Sequence, residues 1–346
     1  MALLPLLAAC GELEYYLHLA HGQGRILLHG QAVDELLAEP STPVEVREVL
    51  ERVEEVLRFG RERVGLTASR GYTRYFDTGG GPVAWNVSAS PAHRFEPFLW
   101  WFPILGELPY KGYFDGGLAS AERDRLRAEG FDAILRPVSA YSTLGYLEDP
   151  VLSTMAGYSE DRLAELILHE LTHSDIYAEG HADYNESAAT FVGRAGALQY
   201  LADRHGSTSA QVRRALLRRR HADRFTGFVR GVASRLDSLY TSGSGKDEVL
   251  RERRVIFRQA RRDFRKARAD FGRGYDGFLD WEPNNALLLS YRRYHSRSAD
   301  FEAVLARFRG ELPAAVAALA ACAHTDDPWS CVQQRRQPAQ AEAPAP

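Results

Sequence analysis

Two histidines four residues apart constrain this chain more than any other feature. They stand in "LILHELTHSDIYAEGHADYNES", residues 166–187. The surrounding stretch "SEDRLAELILHELTHSDIYAEG" opens with a serine and acids and closes on Gly180, which are the start and stop signals of a helix. Residues four apart on a helix sit one above the other, so His169 and His173 share a face. Glu170 lies about 100° round from that face. Leu163, Ile167, Leu171 and Ala178 fall on the opposite side and give the helix a packing face. After Gly180, "HADYNESAATFVGRAGALQYL" starts a second helix. A short turn returns it antiparallel, with Glu186 in its first turn, where it can face back toward His173.

That spacing suits a metal ion. Neutral imidazoles hold zinc, the ion lowers the pKa of its water to about 7, and an adjacent carboxylate such as Glu170 takes the proton. A catalytic zinc also needs a third protein ligand and an open fourth position. Glu186 is the candidate, and His-His-Glu is a known catalytic set. Asp183-x-x-Glu186 is equally a helix N-terminal capping pattern, and His181 is a rival third ligand. The metzincin spacing fails, because Ile176 stands where a glycine should be and Glu179 where a third histidine should be.

The rest of the chain supplies the frame. It has 346 residues, 45% hydrophobic and 11% aromatic, with a formal net charge of -3, enough for a real core and without global bias toward nucleic acid or membrane surfaces. From Leu13 to about Leu66 the pattern is helical, with a stripe through Val44, Val49, Leu50, Val53, Val56 and Leu57. Between 70 and 115 short aromatic and β-branched runs, "PVAWNVSASP" and "LPYKGYFD", read as strands. "LASAERDRLRAEG" is a helix ending at Gly130 and "FDAILRPV" a further strand, together a βαβ unit over about 108–138. "AYSTLGYLEDP" reads as a loop. From about Ser159 onward nearly everything is helix, including a long antiparallel hairpin around "TSGSG". Its many arginines are interleaved with acids and apolar residues at helical spacing, so they form a solvated face and not a nucleic-acid surface. The fold class expected is α+β and mostly helical, with one small mixed sheet at about 70–150 packed on a helical, metal-binding part at about 159–320.

The termini carry separate signals. "MALLPLLAAC" ends in small residues and Cys10, and resembles the end of a bacterial lipoprotein signal, in which the cysteine is acylated and tethers the protein to a membrane. It departs from that pattern in having nine residues before the cysteine and no basic region. The alternative is an ordinary buried cysteine. Cys322 and Cys331, separated by eight residues, can close a small disulfide loop, which suits an oxidising periplasm. The Pro/Ala-rich tail 336–346 reads as disordered. A single domain over 11–335 is expected between these ends.

His169-Glu170-x-x-His173 followed by Asn185-Glu186-Ser187 resembles the gluzincin class of zinc peptidases. More narrowly, "YKGYFD", "AYSTLGYLEDPVLST", "LILHELTH", "YNESAATFV" and "NNALLLSYRRYH" resemble a bacterial family named for putative aminopeptidases, from about Cys10 to about residue 315. The resemblance implies a zincin-like core and one zinc ion on His169, His173 and Glu186. It further implies Glu170 as base, a peptide substrate, and in many members a lipid anchor in the cell envelope. Without the anchor the location expected is periplasmic or soluble. Oxyanion donors are sought in Tyr291, Tyr294 and His295, with Tyr294 preferred, and a carboxylate for a substrate amine in Glu107, which competes with a plain strand-end role. Two other readings stay open: a zinc hydrolase of another amide, such as a cell-wall bond, and a non-catalytic envelope scaffold that keeps zinc for structure.

Overall fold

A computed structural model describes residues 4–67, 71–103, 106–138, 149–280, 282, 284–294 and 298–336, with the backbone alone for 4–12 and 292–294. The chain begins with helix α1 (Leu4–His29), strand β1 (Gln31–Ala32), α2 (Val33–Ala38) and α3 (Val44–Phe59). Pro43 precedes the first residue of α3, where its fixed φ leads into a helix. The buried stripe of α3 is Val49, Leu50, Val53, Val56 and Phe59. Val44, expected in that stripe, is the first residue of α3 and is exposed.

Strands β2 (Arg74–Phe76), β3 (Trp85–Pro91), β4 (Trp100–Phe102), β5 (Gly106–Leu108) and β6 (Lys111–Tyr113) follow, then α4 (Gly116–Ala128), β7 (Phe131–Pro137) and β8 (Val151–Leu152). They form three small sheets and not one: β1-β2-β8, which is mixed, β6-β3-β7, which is antiparallel, and the hairpin β4-β5. The βαβ expectation needs correcting here. β6 and β7 run parallel, but β3 lies between them, antiparallel to both. Val87 and Ala89 of β3 are buried against Ala119 and Leu126 of α4, so β3 takes the central place and the α4 crossover spans it. Asp115 caps α4 by accepting from the Leu118 N–H at 2.8 Å.

The remainder is helical: α5 (Glu160–Asp175), α6 (Ala182–His205), α7 (Ala210–Tyr240), α8 (Lys246–Lys266), α9 (Arg268–Phe271), α10 (Asn285–Tyr294), α11 (Ser298–Arg307), α12 (Leu312–Ala323) and α13 (Pro328–Arg336). The main core joins α3, α5, α6, α11 and α12 with the β1-β2-β8 sheet. α7 and α8 form the long hairpin with their own core, in which Phe225, Val229, Phe257 and Phe264 meet Phe271 and Phe278. Most of the hairpin's arginines face solvent, but Arg253 is buried and pairs with Asp132 of β7 at 2.5 Å. The Asn285 backbone N–H donates to the same carboxylate at 2.6 Å, and the Asn285 side chain donates to Pro91 and Arg94 carbonyls at 2.9 and 3.2 Å. One half-buried acid therefore joins the hairpin, the β3–β7 pair and α10. α1 docks on β6 through Tyr15, whose hydroxyl donates to the Gly112 carbonyl, and His18, whose Nε2 accepts from the Phe114 N–H.

Candidate metal centre

The centre is built on α5. Glu160 and Asp161 in its first turn complement the helix dipole. Leu163, Ala164, Ile167, Leu168, Leu171 and Thr172 turn into the core, which leaves His169, Glu170 and His173 half-buried on the other side. The helix stops at Asp175, before the glycine expected to end it, because Ile176 takes an extended conformation (φ -124) and is itself fully buried. Asp175 accepts from the N–H of Thr67 at 2.8 Å and from the Thr67 hydroxyl, which pins the chain that follows α3 to the end of α5. Residues 176–181 then form a compact connector. The Asn185 side chain holds it as a backbone partner would, accepting from the Ala178 N–H at 2.8 Å and donating to the Ala178 carbonyl at 2.9 Å. Gly180 (φ +76) makes the reversal that a side chain would strain.

α6 then runs back along α5. The approach is close enough that a Cβ on Gly193 would lie 2.6 Å from the Glu165 carbonyl oxygen and 3.1 Å from His169 Cβ. This close packing brings Glu186 up to both histidines. The Nε2 atoms of His169 and His173 are 3.3 Å apart, and the Glu186 carboxylate oxygens lie 3.6 Å from the first and 3.9 Å from the second. Nitrogen ligands about 2.0–2.1 Å from a tetrahedral zinc are separated by roughly 3.3 Å along the tetrahedron's edge. The imidazole pair already has that separation, while Glu186 approaches the two imidazoles through different oxygens and from somewhat farther away. Each residue offers one ligand atom, all within 4.8 Å of one another. The donor set fits zinc. Among the described residues the group contains no cysteine and no fourth protein ligand of the His, Cys, Asp or Glu type.

The same proximity polarises the two imidazoles. Burial acts to lower the pKa of His169, but the hydrogen bond to Glu186 and the charges of Glu170, Glu186 and Glu165 outweigh it and raise it above the ordinary histidine value. Burial and the neighbouring His169 lower His173 to about 4. Tyr72 stands in the same field. Burial first, then the charges of Glu170 and Asp149, push its phenol well above the usual range. Its backbone is left-handed (φ +67), uncommon for a residue with a side chain, and its N–H donates to the Asp149 carbonyl at 2.6 Å.

A family model described as Putative aminopeptidase matches residues 14–330. The chain belongs to this aminopeptidase family. No curated protein and no solved structure matches it. Membership gives the activity class, a peptidase acting on peptide substrates.

The other residues singled out from the sequence fall as follows in this aminopeptidase-family fold. The capping pattern at Asp183 and Glu186 is not used. His181 is the N-cap of α6 and makes no side-chain cap bond, and Asp183 lies inside the helix, accepting from Trp329 Nε1 at 3.1 Å. His181 does not join the donor group and lies in the electrostatic surroundings of Asp327. Tyr291 belongs to the hairpin core, its ring 5.5 Å from that of Phe225 and 5.7 Å below the Arg136 guanidinium. The Tyr294 side chain lies outside the described residues, as does His295. Glu107 is exposed on β5 opposite Trp101, in the hairpin that packs on the β6-β3-β7 sheet. The loop 140–150 falls largely outside the described residues, and so does the tail from 337. Cys10 lies within α1, with its side chain likewise outside the description. Cys322 and Cys331 form a disulfide between α12 and α13.

Two residues that shape the centre, Gly193 and Tyr72, went unnoticed in the sequence, and a third, Asn185, was noted there only as part of the motif around Glu186. Gly193 sets the helix–helix distance, Asn185 holds the connector, and Tyr72 stands close to Glu170. A glycine inside an otherwise helical pattern is a usable signal of close packing. Tyr72 offers none, because its conformation is imposed by contacts distant in the chain.

Proposed function

We propose that this aminopeptidase-family protein is a zinc-dependent peptidase of the gluzincin type. In this reading His169, His173 and Glu186 hold one zinc ion in a zincin-like core, within one catalytic unit over 11–335. The observation that carries it is the His169–His173 Nε2 separation of 3.3 Å, the spacing of two ligands on one tetrahedral ion, with the Glu186 carboxylate beside both. A set of three protein ligands without cysteine supports a catalytic site over a closed structural one. A bound zinc ion supplies Lewis acidity, polarising water and the substrate carbonyl. Glu170, one residue along α5 from His169 and half-buried, is the base that accepts the proton from water and returns it to the departing amine nitrogen. Asn185 and Gly193 keep Glu186 in register with the histidines. The location that fits the Cys10 signal is the periplasm-facing envelope, with a lipid anchor at that cysteine.

Metal content and hydrolysis of a peptide library, measured for wild type and Glu170→Gln, test the proposal. The expected result is about one zinc per chain in both. Turnover should fall at least about a hundredfold in the variant, because the amide keeps the size of the acid but cannot accept the proton. Wild-type turnover in Glu170→Gln, or a folded protein that takes up no zinc, overturns it. Activity against cell-wall amides with none against peptides would move the substrate, not the mechanism.

A further inference from the structure

Glu186 follows directly on the first turn of α6, whose N-cap residue, His181, makes no side-chain cap bond to the helix. That turn is gripped instead from outside, on two sides. Tyr184 is fully buried, and its hydroxyl donates to the Leu319 carbonyl of α12 at 2.7 Å. On its exposed side, Asp183 accepts from Trp329 Nε1 of α13 at 3.1 Å. The Trp329 ring lies 5.3 Å from that of Tyr184 and 5.5 Å from that of Phe301, so the two grips share one aromatic cluster. Leu319 stands one helical turn before Cys322, and Trp329 two residues before Cys331. Both grips therefore originate beside the ends of the one disulfide, which ties α12 to α13.

We propose that the disulfide-closed pair α12–α13 is a brace for the metal centre, with Tyr184, Asp183 and Trp329 acting as positioning residues that fix where Glu186 stands relative to His169 and His173. This rests on the zinc reading above. The physical reason for a brace is the shortness of its parts. α12 and α13 have 12 and 9 residues, lengths at which isolated helices are marginal, so their mutual placement depends on what joins them. With the disulfide closed, the Leu319 carbonyl and the Trp329 indole are held as one unit, and the two faces of the α6 turn cannot shift independently. Opening it frees the indole from the carbonyl. Glu186 then samples positions in which its oxygens no longer sit 3.6 and 3.9 Å from the imidazole nitrogens. Groups that orient a ligand without touching the ion are typically worth 10–100-fold in metal affinity, roughly the size of effect expected here.

The test is zinc affinity of the full chain by competition with a chromophoric chelator, compared with thermal stability. Cys322→Ser/Cys331→Ser opens the brace without leaving thiolates that would themselves bind zinc. Tyr184→Phe and Trp329→Phe each remove one grip while keeping an aromatic ring. Phe264→Leu, in the hairpin core away from α6, is the comparator for lost stability alone. The double serine variant should bind zinc about tenfold or more weakly. The two phenylalanine variants should lose less in the same direction, and Phe264→Leu should melt earlier at unchanged affinity. If the double variant does not fold, the phenylalanine variants decide. Wild-type affinity in the folded brace variants overturns the brace alone, as does an equal loss in Phe264→Leu. A wild type that binds no zinc removes the brace together with the reading on which it rests.

Discussion

Glu186 owes its position to residues on either side of it. Asn185 binds both backbone groups of Ala178, and the side chain of Asp183 is occupied by Trp329, so neither neighbour competes with it for the histidines. A carboxylate serving as a cap would cost about 0.5–2 kcal/mol when lost, and little else. As a ligand its loss removes an anion from the ion itself. Glu186→Ala should therefore weaken zinc by more than the roughly 10–100-fold of a supporting residue, with most thermal stability retained. Chelator titration measures the first and a melting curve the second. Affinity within tenfold of wild type would make the carboxylate a bystander. Tyr72 is the other residue whose surroundings explain it. A left-handed tyrosine costs of order 1–3 kcal/mol of strain and persists only where its surroundings over-determine it. Here burial and the Asp149 hydrogen bond do so, beside the proposed base.

Two contacts between elements set the geometry on a larger scale. The first is the α5–α6 approach at Gly193. A methyl group there meets a backbone oxygen, which cannot swing aside, so Gly193→Ala should displace α6 despite the better helix propensity of alanine. A net loss of about 1–3 kcal/mol, typical of overpacking, is expected in urea denaturation, together with weaker zinc binding. Unchanged zinc affinity would show that the helices need not lie so close. The second is the Asp132–Arg253 pair. Arg253→Met leaves a largely enclosed carboxylate without its partner and should cost up to about 3 kcal/mol, the low end for a buried pair. Asp132→Leu combined with Arg253→Met should recover most of it, as measured by denaturant midpoints. The helical elements were legible in the sequence, because α3 and the α7–α8 hairpin bury residues at a regular spacing. The pairing of β6 and β7 was not, since a strand–helix–strand pattern is the same whether its strands are adjacent or separated by β3. At the site, the His169–His173 relation was legible because it lies within one helix. The role of Asp183 was not legible for the opposite reason: its local pattern allows a cap, while its partner Trp329 is 146 residues away.

For the molecule as a whole, the proposed location is the periplasm-facing envelope. Among the described residues no helix is long and apolar enough to cross a membrane, and the attachment proposed above is an acyl chain on a cysteine. Cys10 is the candidate, and the structure adds a geometric consequence. Five residues beyond it Tyr15 already donates to Gly112, and His18 holds Phe114. At 1.5 Å per residue, the cysteine is only about 8 Å along α1 from the first of these contacts. An acylated Cys10 would thus hold the body against the bilayer surface, without a long flexible tether. A single acyl chain binds a membrane only marginally, whereas two or more anchor it firmly. Expressed in a bacterium behind a complete lipoprotein signal, the protein should partition with membranes and resist salt extraction. Cys10→Ser in the same chain should be found in the soluble fraction or as an uncleaved precursor. Equal membrane partition and processing of the two, by fractionation and mass spectrometry, would remove the anchor. The proposed zinc chemistry would be untouched by that result, since none of its residues lies on α1.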